Sequence, residues 1–512
     1  MTEWLEVLDI PQAARHCESD AFGDWYRDPW SWPEISYVST SDPEVAGFRL
    51  KRGGITTYQR LDVPKENFAI RPALILDPVD RLIYQALVDR IALRLLKDLP
   101  DWVYGWRTAR TKGTLYADNS DEWPSYVEDV VEIEALNEWA LSTDIVSYFP
   151  NVEVDRVVEE VGTRGGSTMV TSALELMLQH WDQIAGRGGL PQRSMASAVL
   201  ANAYLGPVDD VLTVRGRFTR GALKRLLPGG GALRWMDDIW LFGGNELTLR
   251  SVQLELQDAM RSLGLEMNFG KTNTHTGETL YDLVQSMHHS GVDAALNQPA
   301  KDEQPLEALL EHLLVAPALA PRTSIRFATT RIKEHELYHL TARLITAAPL
   351  MPHGADHLGR LFRASDDWHD LGDWWVKYYR SRSGKVDWSV AQLGLMFPAK
   401  EAPPVEGILE AVVEQIQSVG SLPMFSFAAH RLVTWAPDDA RVLLREAGNY
   451  VDSPLHRRVI GLALNRLGVS RVEVRKLLGQ QETTALTLRM LEARNFRPLP
   501  VATDFAGPEH HD

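Results

Sequence analysis

Residues 233–242 read Leu-Arg-Trp-Met-Asp-Asp-Ile-Trp-Leu-Phe, two apolar runs meeting at a pair of acids and closed by Gly243-Gly244. Such runs are short strands, and the acids between them form a tight turn. Two carboxylates held together in a partly buried place repel one another, and a divalent cation relieves that cost. The pair alone says little, because Asp-Asp recurs at 209–210, 366–367 and 438–439. Its setting is what distinguishes Asp237-Asp238. Asp144 has a similar setting, after Trp139-Ala140-Leu141-Ser142-Thr143 and before Ile145-Val146, a run that reads as a strand. Taken alone it also reads as a strand-end or capping aspartate. Three carboxylates converging from separate strands suit a pair of Mg²⁺ ions about 3.5–4 Å apart, the arrangement that serves nucleotidyl transfer.

The rest of the chain bounds what surrounds that turn. Its 512 residues predict about three to four units, each able to bury a core. Cys17 is the only cysteine, which excludes an internal disulfide and a Cys-type zinc site and fits a reducing cytoplasm. Acids stand where a secretory signal would carry Lys or Arg, and no uncharged apolar stretch of about 18 residues occurs, so a soluble cytoplasmic protein is expected. The formal charge of −16 argues against general polyanion binding. Basic residues cluster locally, at Arg90, Arg94 and Lys97, at Arg107, Arg110 and Lys112, and at Arg215, Arg217, Arg220, Lys224 and Arg225. Each cluster is either a nucleic-acid track or a solvated face.

Residues 1 to about 60 read as irregular and aromatic-rich, around Trp25, Trp30 and Trp32. An amphipathic helix opens at Pro78. Helices follow at about 153–161, 168–184, 193–212 and 247–263, with strand and turn signals to about 290. Beyond about 300, helical segments recur with short breaks, as a solenoid-like repeat or an ordinary bundle. Tyr378 and Tyr379 beside Trp374 and Trp375 read as core at helical spacing.

Several of these segments resemble reverse transcriptases. Asp144-Ile145-Val146-Ser147-Tyr148-Phe149 resembles the first palm motif of that family. Gly189-Leu190-Pro191-Gln192, with Ser197 and Leu200 to Leu205, resembles the second. Trp235-Met236-Asp237-Asp238 resembles the third and Leu263 to Thr272 the fourth, all in the family's order. Pro64-Lys65 through Arg71-Pro72, the helix after Asp77 and Tyr104-Gly105-Trp106-Arg107 resemble the fingers segments of bacterial and group II intron enzymes. The long helical C-terminal half resembles that of the bacterial abortive-infection and defence-associated class.

The resemblance implies an α+β fold: right-hand fingers and palm, with an antiparallel sheet and helices, followed by an all-α C-terminal domain. The expected boundaries are 1–135, 136–295, 296–500 and a flexible tail at 501–512. It implies Asp144, Asp237 and Asp238 as metal ligands and catalytic acids, with the Ile145 carbonyl added, and Lys271 as a catalytic cation. Lys65, Arg71, Ile145, Phe149 and Gln192 would bind the nucleotide, Phe149 excluding a ribose 2′-hydroxyl. Arg107, Arg193, Arg215 and Arg217 would contact nucleic acid. Arg193 stands where the family usually has glycine, to touch phosphate or partly fill the template track.

The expected cofactor is Mg²⁺, two ions, with Mn²⁺ a possible substitute. The expected partners are dNTPs, an RNA template or non-coding RNA, the DNA product and further copies of the chain, with no membrane. The expected function is an RNA-directed or template-independent DNA polymerase in anti-phage defence. The alternatives are a retroelement-derived or housekeeping enzyme copying a dedicated RNA, and a non-catalytic RNA-binding scaffold.

Overall fold

The computed structural model describes residues 2–21, 24–53, 58–109, 111, 113–184, 186–216, 231–288, 290–298, 301–381, 385–479 and 481–493. The structural statements below concern these residues. Arg217, most of the basic run around it and the 501–512 tail lie outside them, as does the side chain of Arg215.

The described strands form two sheets. β1 (Tyr58–Pro64) and β2 (Ile70–Leu76) are an antiparallel hairpin, with Tyr58 opposite Leu76 and Pro64 opposite Ile70. β3 (Val103–Tyr104), β4 (Trp139–Thr143), β5 (Gly231–Trp235), β6 (Asp238–Gly243) and β7 (Asn273–Thr276) make the second sheet in the order β3-β5-β6-β4-β7. Every pairing in it is antiparallel except β3 with β5. β5 and β6 are apolar almost throughout because both faces are covered. The Gly206–Gly216 and Glu246–Ser262 helices pack on the sheet, as does Asn119–Glu134 on β5. β7, Asn-Thr-His-Thr, is the polar edge.

The Pro78–Leu95 helix begins as its sequence dictates. Asp77 accepts the Val79 N–H at 2.9 Å, and Pro78 takes the first turn, where its missing N–H costs nothing. Its one-sided apolar spacing predicts a surface helix, yet it is buried on nearly every side. Its inward charges are paired: Asp80 with Arg49 at 2.8 Å, and Arg81 with Asp24.

Two expectations are corrected. The described residues up to Gly53 are mostly helical, with Thr2–Val7, Ile10–Ala21, Pro33–Ser41 and Glu44–Arg52 set around the buried tryptophans. Pro33 opens its helix as a first-turn residue, where its missing N–H costs nothing. The segment after β7 continues as helices Gly277–His288 and Ser290–Leu296 instead of further strands.

From Gln304 to Glu492 the described chain contains helices and no strand, including antiparallel neighbours such as Glu406–Gln417 with Leu422–Trp435. Tyr378 and Tyr379 are buried, with Tyr379 stacked on Trp375. These helices return to the start of the chain. Trp388 donates its indole N–H to the Trp25 carbonyl at 2.7 Å, and the Tyr26 and Ser426 hydroxyls meet at 2.7 Å. Arg458 is buried between Asp28 and Glu34, with four contacts of 2.8 Å. No described helix is long and apolar enough to cross a membrane.

Candidate active site

β5 and β6 turn through Met236 and Asp237, with Trp235 paired to Asp238. Met236 takes a φ of 55°, a left-handed conformation uncommon for a non-glycine residue. A buried network holds it there. The fully buried Arg234 grips Asp209 through two contacts of 2.7 and 2.6 Å and donates to the Asn202 side chain and the Met236 carbonyl, each at 3.0 Å. Asn202 in turn donates to the Gly105 carbonyl at 2.9 Å. Gly105 has φ 76°, and a Cβ there would press on the Trp235 ring at 3.2 Å. Tyr104-Gly105 thus braces the back of the acidic turn. Arg234 and Asp209 were missed by the sequence reading, where Asp209-Asp210 looks like any surface pair.

The strand register brings Asp144 to the same edge. Thr143 pairs with Ile239, so Asp144 follows β4 beside Asp238. Ile145 bridges to Met267, with Val146 donating to the Glu266 carbonyl and Asn268 to that of Asp144, both at 2.9 Å. This pattern leaves the Ile145 carbonyl outside the ladder. After the left-handed Ser147 the chain enters the short Tyr148–Asn151 helix, where Tyr148 donates to the Ala201 carbonyl at 2.5 Å. The half-buried Phe149 accepts from Leu190 N–H at 3.0 Å through its carbonyl. Gly189 lies so close that a Cβ would reach that carbonyl at 2.1 Å, which requires glycine there.

Lys271 follows the Asn268 turn and sets its ammonium 2.5 Å from Asp144 Oδ2. Burial works against its charge, but the hydrogen bond to Asp144 and the charges of Asp144 and Asp238 raise its pKa. Asp144 Oδ1 is buried with no hydrogen-bond partner. Burial pushes Asp237 up to about 6 and the charge of Asp144 adds to this, against its own backbone N–H, Lys271 and Arg71. Asp238 reaches solvent, yet the protein packed around it strips much of its hydration. That desolvation, with the charges of Asp237 and Asp144, lifts it to about 7.

At least one pair among these three carboxylates stands farther apart than 4.8 Å. Among the described residues, the trio that closes within that distance is Glu303, Glu307 and His339. A buried unpartnered oxygen, two acids raised by burial and by nearby negative charge, and a spare backbone carbonyl are a hard-oxygen donor set that fits a divalent cation such as Mg²⁺.

Around the acids, Lys65 is half-buried at the β1–β2 turn, its charge disfavoured by burial and by Arg71 and Lys271. Arg71 on β2 feels Asp237 and makes no ion pair among the described residues. Gln192 is half-buried and Arg193 exposed, the latter with φ 57°. The geometry corrects the expectation for Arg107. Its side chain is 9% exposed, and its guanidinium is spent on the Asp101 and Val103 carbonyls at 3.0 Å and on Asp101 and Glu122. It therefore supports the fold from inside and offers little to nucleic acid.

Three acids at one sheet edge, with Lys65, Arg71 and Lys271 within electrostatic reach of them, have the makings of a nucleotidyl-transfer site. Residues 63–308 match the family model described as reverse transcriptase (RNA-dependent DNA polymerase). The chain carries a reverse-transcriptase domain and is an RNA-directed DNA polymerase, a nucleotidyltransferase. Such domains work on a nucleic-acid template and nucleotides, and generally use divalent metals, typically Mg²⁺. No curated protein matches the sequence.

Proposed function

We propose that the five-stranded sheet is the palm of a right-hand polymerase and that Asp144, Asp237 and Asp238 are its catalytic acids, joining deoxynucleotides to a growing DNA end. The supporting observation is the unpartnered Asp144 Oδ1 near two acids that burial first, and neighbouring negative charge second, hold toward their protonated forms. In this reading the N-terminal region and fingers are 1–135, the palm 136–295 and the helical domain 296–500. The three aspartates and the Ile145 carbonyl would hold Mg²⁺. Bound divalent cations make the attacking hydroxyl more acidic and offset charge on the leaving group.

The chain's own side chains account for the rest. Lys65 and Arg71 neutralise the triphosphate, a point charge and a planar fork respectively. Gln192 lines the nucleotide and Phe149 packs under its sugar, where a 2′-hydroxyl would collide. The 3′-oxygen bonds to the α-phosphorus as the α–β bridging bond breaks, and Lys271 stands ready to stabilise or protonate the departing pyrophosphate. The helical C-terminal half, built against the N-terminal region, supports membership of the defence-associated class, acting against phage.

Replacing Asp237 and Asp238 together with Ala tests the core of this reading. Incorporation of labelled dNTP should fall at least 10³-fold, on the order expected when a metal-held centre is lost, while the protein stays folded. Retained incorporation would overturn it. Phage protection that survives the same double substitution would separate defence from catalysis and favour a scaffold. Supplying each dNTP singly, with and without nuclease-treated RNA, distinguishes templated copying from untemplated extension.

A further inference from the structure

Trp25 is buried between the first helices, outside the segment that matches the family model. Three guanidinium carbons surround its ring: Arg193 at 4.5 Å from the centroid, Arg71 at 4.8 Å and Arg322 at 5.2 Å. They come from three distant places: β2, the turn after Gln192, and the first residue of the Arg322–Glu334 helix in the C-terminal half. Arg322 also lies 5.9 Å over the ring of Trp388, whose N–H caps the Trp25 carbonyl.

Cation–π attraction explains one arginine on an indole. It does not explain three like charges gathered at one ring. Arg322 is anchored to Asp356 at 2.8 Å and to the His353 carbonyl. Arg71 has no carboxylate within ion-pair distance. Its pKa is lowered to about 10, by burial first and then by the charges of Arg193 and Arg322, with Glu66 and Asp237 opposing. The Trp25 indole N–H is itself buried without an acceptor. The unpaired Arg71 guanidinium, which feels Asp237, two further guanidinium groups on the same ring and an orphan donor together suit an anion with several oxygens.

We propose that Arg71, Arg193, Arg322 and Trp25 form a phosphate-binding pocket which the C-terminal helices complete. Its ligand assignment rests on the nucleotidyl-transfer reading: the phosphate belongs either to the incoming triphosphate or to a nucleic-acid backbone next to the catalytic acids. Arg71 already serves the nucleotide in that reading. Arg193 was already expected to touch phosphate; the new assignments are Trp25 and Arg322, and with them a direct share in the site for the C-terminal half. Arg193 holds a left-handed backbone where glycine would be unstrained, a cost that a phosphate contact would repay in function.

The test uses the full chain in EDTA, so that no divalent cation contributes. Binding of inorganic tripolyphosphate is measured by calorimetry and of a single-stranded oligonucleotide by anisotropy, for the wild type, R193G, R322Q and the double variant. Each substitution should weaken phosphate binding about tenfold, the scale of one charged hydrogen-bonding partner. Loss confined to tripolyphosphate assigns the triphosphate, and loss confined to the oligonucleotide assigns the backbone. R193G relieves backbone strain, so it remains informative if R322Q fails to fold. Unchanged affinity for both ligands in folded R193G and in the double variant would overturn the pocket, whether or not the wild type polymerises. A wild type that incorporates no dNTP while R193G loses tripolyphosphate binding would instead overturn the polymerase reading and leave the pocket standing.

Discussion

Burial first, and the negative charges gathered at the ends of two neighbouring strands second, disfavour ionisation of Asp237 and Asp238, and the sign of the resulting linkage is fixed. Asp237 and Asp238 titrate at about 6 and about 7 in the folded chain, against an ordinary value of 3.8. Between about pH 4 and pH 7 the folded state therefore binds more protons than the unfolded one, so stability falls as pH rises through that window and levels above it. In EDTA the melting temperature should drop by on the order of a few degrees between pH 5 and pH 8. Mg²⁺ should restore it at pH 8 and do little at pH 5, because protons compete for the same oxygens. In Asp237→Asn the drop should shrink. A melting temperature that rises from pH 5 to pH 8 in EDTA, with the other acids accounted for by that variant, would contradict this. These three acids were legible in the sequence because each sits at the end of an apolar run. Arg107 was misread for the converse reason: a basic residue near other basic residues has the same spelling whether its guanidinium faces water or caps buried carbonyls.

The β5–β6 hairpin depends on a charge that the sequence pattern gave no reason to notice. Arg234 is fully buried and is the common donor to Asp209, Asn202 and the Met236 carbonyl. Taking away Asp209 leaves a buried guanidinium half-paired, so Asp209→Ala should cost about 3–5 kcal/mol in urea unfolding. It should also loosen the left-handed Met236 and lower dNTP incorporation more than it lowers nucleotide affinity. Substituting both partners, Asp209→Ala with Arg234→Met, should recover much of the stability, since an apolar replacement removes the uncompensated charge. If the single and double variants are equally stable, the pair is not what supports the turn. Strand spacing and the acidic turn were visible from residues 231–243 alone. Arg234 was not, because only the register against β3 and the Gly206–Gly216 helix shows that this strand has two buried faces. The N-terminal helices were hidden similarly: their prolines and tryptophans carry turn signals locally and gain helical meaning only once packed.

At the scale of the molecule, the first fifty residues and the C-terminal helices are one structure, tied by groups that cannot be left alone. Arg458 is buried against Asp28 and Glu34, lies 4.5 Å over the Trp32 ring, and shares Glu34 with Thr487 at 2.8 Å. No local pattern links residue 28 to residue 458, which is why the sequence showed two separate regions where the fold has a continuous interface. Arg458→Met would strand two buried carboxylates beside each other, and about 3–5 kcal/mol of stability should go with it. Arg489→Ala breaks an ion pair of similar length, 2.7 Å to Asp42, but its side chain is 62% exposed, so the loss should stay below about 1 kcal/mol. Thermal melts and limited proteolysis of the two variants check the contrast. Because Trp25 belongs to the same N-terminal segment as Asp28, Arg458→Met should also weaken tripolyphosphate binding under conditions where the protein is still folded, and Arg489→Ala should not. Equal effects of the two substitutions on both measurements would mean that the C-terminal helices only lean on the N-terminal region and do not hold it in place.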